Sequence, residues 1–82
     1  MSSKQVFIAS ILESVTELFI KRNKGYDEKI AKEYFAHCLR SIPGRKKIIN
    51  LLRSYKNKST LVVDKSLIQN VIDLIYLVYG EF

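Results

Sequence analysis

Apolar side chains recur along this chain at steps of three and four, the spacing of a helix face rather than of a strand. From about Ser3 to Arg22, the residues Val6, Phe7, Ile11, Val15, Leu18 and Phe19 form one stripe, and Ser10, Glu13, Ser14 and Glu17 fill the opposite side. Ser2 and Gln5 have the spacing of a capping box. Lys21 and Arg22 suit the negative end of a helix, and Gly25 suits the left-handed position that follows one. A second stripe runs through Ile30, Tyr34, Phe35, Cys38, Leu39 and Ile42, with Asp27 as its expected N-cap and an end near Ser41. Pro43 disfavours helical geometry at Ile42, so Ser41-Ile42-Pro43-Gly44 is expected to be a short turn. A third helix is then predicted from Pro43 or Gly44 to Tyr55, with Ile48, Ile49, Leu51, Leu52 and Tyr55 inward.

Lys56-Asn57-Lys58-Ser59 is predicted as a polar loop, and the patch from Thr60 to Val63 as extended chain. With Asp64 as N-cap, a last helix is predicted to reach Tyr79. From Val71 onward that helix is apolar nearly all round, interrupted by Asp73. Such a helix is either the centre of a bundle or the docking surface for another chain. The expectation is an all-α fold in which about four helices, joined by short loops, form a compact bundle. It is expected to be one domain over residues 1–82.

Composition agrees with that reading. Three glycines and one proline in 82 residues leave few sites for the tight turns of a hairpin-rich fold, and a hydrophobic fraction of 48% can furnish a core. Cys38 is the only cysteine, so neither an internal disulfide nor a cysteine-based metal centre is expected. The start of the chain lacks the apolar core of a secretory signal, and no stretch reaches the ~18 apolar residues of a membrane span. A cytoplasmic location is the resulting expectation, and the Asn57-Lys58-Ser59 sequon is read as coincidental.

Charge changes the picture more. The net charge is +6, but residues 21–58 hold twelve Lys or Arg against Asp27, Glu28 and Glu33, while both flanking segments are slightly acidic. A central segment so loaded gives the molecule an electrostatic side. Arg45, Lys46 and Lys47 crowd the start of the third helix, where the macrodipole disfavours cations. Arg53, Lys56 and Lys58 follow along it, and Arg40 precedes the turn. These seven residues are the candidate nucleic-acid or polyanion site, in a loose helix-turn-helix arrangement. Asn50 and Ser54 are the side chains available to read bases, so little sequence selectivity is expected.

Candidate chemistry is sparse. His37 and Cys38 are adjacent, and neighbours on a helix point about a hundred degrees apart, which rules against a thiol–imidazole couple. Gly44-Arg45-Lys46-Lys47 lacks the second glycine and the preceding strand of a phosphate-binding loop. No ligand set suggests a metal, and no cofactor is expected. The leading functional expectation is a non-enzymatic regulatory or adaptor module, acting on a protein partner or as a homodimer through Leu74, Leu77, Val78, Tyr79 and Phe82 near the chain's end. Nucleic-acid binding through the basic third helix stands close beside it. A membrane-surface or immunity-type role is a lesser alternative; small four-helix immunity proteins share this size and charge but no motif.

Overall fold

The structure, a computed structural model, describes residues 2–80, and it is all-α. Four helices follow one another: α1 Ser3–Arg22, α2 Glu28–Cys38, α3 Ile42–Lys58 and α4 Val62–Tyr79. Among the described residues there is no strand. Each helix packs on its neighbour in sequence, and α4 closes the ring by packing on α1. Contacts such as Glu13–Lys32 between α1 and α2, and Lys56–Gln69 and Arg45–Tyr79 between α3 and α4, make those neighbours antiparallel. α1, at 20 residues, is about 30 Å long, and the molecule measures 34 × 27 × 25 Å.

The core is one cluster to which every helix contributes: Ile11 and Val15 from α1, Ala31 and Phe35 from α2, Ile48 and Leu52 from α3, and Ile68 and Ile75 from α4 are its centre. α1 begins and ends as its residues dictate. The Ser2 hydroxyl accepts from the Gln5 amide at 3.3 Å, and Gly25 takes a φ of +91° that only glycine adopts without strain. Asp27 caps α2 by accepting from the Ile30 amide at 3.1 Å.

Three boundaries differ from the sequence expectation. α2 stops at Cys38 instead of reaching Ser41, and Ile42, Pro43 and Gly44 already belong to α3. Ser41 is the N-cap of α3: its hydroxyl accepts from the Gly44 amide at 3.2 Å. Pro43, in the first turn, gives up an amide that no helix would have bonded. The proline therefore opens a helix as well as ending one. At the other end α3 runs on to Lys58, three residues past Tyr55, where the Ser59 hydroxyl donates to the Tyr55 carbonyl at 2.8 Å. Finally, Val62 and Val63 are helical, not extended. Asp64 lies inside the first turn of α4, its charge suiting the dipole there, and Leu61 occupies the cap position with no side-chain hydrogen bond.

Gly44 allows a close approach of α2 and α3. A Cβ at this position would collide with the Cys38 carbonyl oxygen and lie 2.7 Å from the Cys38 carbonyl carbon and Cα. The end of α2 and the start of α3 thus meet backbone to backbone.

Candidate polyanion-binding face

The helical repeat of α3 sorts its side chains into an apolar side and an outward side. Ile48, Ile49, Leu52 and Tyr55 are buried. Lys46, Asn50, Arg53 and Asn57, at steps of four, three and four, form one exposed row. Lys47, Leu51, Ser54 and Lys58 form the row beside it, whose ends are exposed. α3 carries no acidic residue, and the chain has no Asp or Glu between Glu33 and Asp64. From Lys46 to Lys58 the cationic stripe is about 18 Å long.

The seven candidate cations do not converge on one spot. Arg40 and Arg45 line a recess between α1, α2 and the end of α4, together with Ile8, Leu12 and Tyr79. Lys46 and Arg53 share a shallow cleft of about 180 Å³ with Asn50 and Tyr76. Lys58 lies with Arg22, Asn23 and Tyr55 around a wider recess of about 550 Å³, where the ends of α1 and α3 meet. Lys47 stands at an apolar cleft between α2 and α3.

Three of the cations hold the fold. Arg45 turns back from the first turn of α3, and its Nη1 donates to the Leu39 carbonyl at 2.6 Å. Leu39 is the C-cap of α2, so the cation that the dipole of α3 disfavours is favoured by the dipole of α2. The same guanidinium lies 4.8 Å from the centre of the Tyr79 ring. Lys56 Nζ donates to Gln69 Oε1 at 2.6 Å, and Gln69 Nε2 donates to Asp73 Oδ1 at 2.8 Å. That relay ties Lys56 to an α4 carboxylate. Arg53 Nη2 donates to the Tyr76 hydroxyl at 3.1 Å but stays exposed. Lys46, Lys47, Arg53 and Lys58 are what faces solvent along α3, with Arg22 at the end of the stripe.

Arg22 repeats the device used by Arg45. Its guanidinium sits 4.5 Å from the centre of the Tyr55 ring and donates to the Leu18 carbonyl at 3.2 Å. Burial raises both Tyr55 and Tyr79 above the usual phenol value of 10.0, opposed at Tyr55 by Asn23 and then Arg22 and at Tyr79 by Arg45. A raised phenol is protonated in the fold at a pH where the unfolded chain has lost the proton. Its contribution is therefore complete below pH 10.0 and is lost as pH rises through the folded value. Urea midpoints are accordingly expected to fall between about pH 9 and about pH 11, and to fall less for the Tyr55→Phe, Tyr79→Phe double variant.

The residues expected at a protein interface differ in exposure. In α4, Val71, Ile72 and Ile75 are core, and Tyr76 and Tyr79 turn toward the cations of α3. Leu74, Val78 and Tyr79 are half-buried, Leu77 is 71% exposed, and Phe82 lies outside the described residues. The more exposed apolar side chains of α4 are at its start, where Val62 and Val63 are 78% and 77% exposed, next to Leu61 and Leu67. His37 is exposed and Cys38 is buried on the α2 stripe. Among the described residues no group of His, Cys, Asp and Glu could hold a metal ion, and no helix is long and apolar enough to cross a membrane.

Asn57 is a face residue that the sequence reading passed over, because it ended the third helix at Tyr55. The hydroxyl partner of Arg53 also had no local signal, since Tyr76 is far off in sequence and meets it only through the antiparallel pairing of α3 and α4. Comparison with protein-family models, with curated proteins and with solved structures finds no match for this chain.

Proposed function

We propose that this protein is a non-enzymatic binding module whose α3 face engages the phosphate backbone of a nucleic acid, with low sequence selectivity. The observation that carries this reading is the outward side of α3, where cations and amides alternate over three turns with no carboxylate among them. Lys46, Lys47, Arg53 and Lys58 supply charge. Asn50 and Asn57, in the row with Lys46 and Arg53, are the side chains able to approach base edges. Amides at two positions can contact adenine but give little discrimination elsewhere. The ~18 Å stripe covers about half of the ~34 Å helical turn of duplex DNA.

Salt dependence separates this reading from nonspecific stickiness. Duplex binding followed by fluorescence anisotropy is expected to weaken steeply between about 50 mM and about 200 mM salt, with a log–log slope of roughly −3 for three to four neutralised phosphates. Lys46→Gln with Arg53→Gln is expected to reduce that slope by roughly 2. Absence of binding to duplex or single strand at the low-salt end rejects the proposal.

A second reading, an adaptor or homodimer built on apolar contacts, is supported by the exposure of Leu77 beside half-buried Leu74 and Val78. The burial of Ile68, Val71, Ile72 and Ile75 within the bundle leaves that surface small. Cytoplasmic residence fits both readings and belongs with them as a proposal.

A further inference from the structure

Between α2 and α3 lies a cleft that the phosphate-backbone reading does not use. Its volume is about 310 Å³, at the small end of the ~300–1,000 Å³ typical of small-molecule sites. Phe19, Phe35, Ile48 and Leu51 form its walls, and Tyr26 and Tyr34 its rim. The aromatic wall is braced by edge-to-face contacts: the Phe19 ring centre is 5.0 Å from that of Tyr26 and 5.4 Å from that of Phe35, and the Tyr34 ring centre is 5.5 Å from that of Phe35. Half-exposed Tyr26 and Tyr34, at 51% and 53%, therefore stand in place around an opening instead of folding over it. The neighbouring Cys38 thiol raises the Tyr34 phenol above its ordinary value.

One charged residue lines this cleft. Lys47 lines it from α3 and, among the described residues, has no hydrogen-bond acceptor or carboxylate partner. Apolar walls with a single cation define the complement, an apolar body bearing one negative group. We infer that the α2–α3 cleft binds a small amphipathic monoacid, its hydrocarbon part between Phe35, Ile48 and Leu51 and its carboxylate at Lys47. A polyphosphate is a poor occupant, because the walls offer nothing to hydrogen-bond its remaining oxygens and their desolvation is uncompensated. This site stands apart from the Lys46–Arg53 row and shares Lys47 and Leu51 with the row beside it.

Decanoate and its neutral counterpart decanol are the probes, titrated into the full chain by calorimetry with amide chemical shifts recorded in parallel. One decanoate is expected to bind saturably and to move the amides of Ala31, Tyr34, Cys38 and Lys47. Lys47→Gln, at an exposed position that does not endanger folding, is expected to weaken decanoate by about three- to tenfold and leave decanol unchanged. Tyr34→Ala is expected to weaken both ligands. Lys46→Gln with Arg53→Gln is expected to leave both unchanged, so the outcome is independent of nucleic-acid binding. No saturable decanoate binding, shifts that map elsewhere, or equal losses for acid and alcohol in Lys47→Gln would each overturn the assignment.

Discussion

Gly44→Ala is expected to lower stability by about 2–4 kcal/mol, more than a helix-favouring alanine normally gains. In an exposed helix the exchange of glycine for alanine stabilises, by roughly 1 kcal/mol. Here the new methyl would meet the Cys38 backbone, which has no rotamer by which to move aside. Relief requires α2 and α3 to separate at their junction. That movement disturbs the Ser41 cap and lengthens the bond from Arg45 to the Leu39 carbonyl. The sign of the change is the diagnostic, and urea unfolding followed by circular dichroism reads it. A stabilised Gly44→Ala variant would mean that the two helices do not approach so closely.

The second large effect is expected at Leu52. This side chain is 0% exposed and lies on the apolar side of α3 at the centre of the bundle, so Leu52→Ala should cost about 2–5 kcal/mol. Leu77 provides the contrast. It is also a leucine within a helix, but 71% exposed, and Leu77→Ser should change monomer stability by no more than about 0.5 kcal/mol. Chemical denaturation of both variants, with light scattering on the second, also tests the adaptor reading. If Leu77 lies in a homodimer interface, Leu77→Ser will lower the mass in solution, and an unchanged monomer removes that reading's support.

The helices themselves were legible because each is written in redundant terms. α1 has periodicity, a capping serine, terminal cations and a glycine, all agreeing within a residue. The junction of α2 and α3 was less so, because Pro43 has two meanings: it disfavours helix at Ile42, and it also fits the first turn of a new one. The Ser41 hydroxyl decides between them, and its partner is a backbone amide that a sequence does not display. At the start of α4, Asp64 attracted the boundary because aspartate is a good cap, but it serves the dipole equally well from within the first turn.

The candidate face was legible as a composition and not as a shape. Counting cations identified α3 as the basic element, and the helical repeat orients its rows. What the count could not show is that Arg45 and Lys56 are engaged elsewhere. Arg45 answers the end of α2 and a tyrosine 34 positions onward; Lys56 answers a glutamine of α4. Both depend on the register of packed helices. Part of the apolarity of the last helix is accounted for in the same way, since Tyr76 and Tyr79 pack on arginine side chains that a lone helix pattern does not contain.

The two sides of α3 have almost no duties in common. Lys46, Lys47, Asn50 and Asn57 are exposed, whereas Ile48, Ile49 and Leu52 are buried in the core. Substitutions on the outward side can thus rewrite the charge that α3 presents while the scaffold beneath is left unaltered.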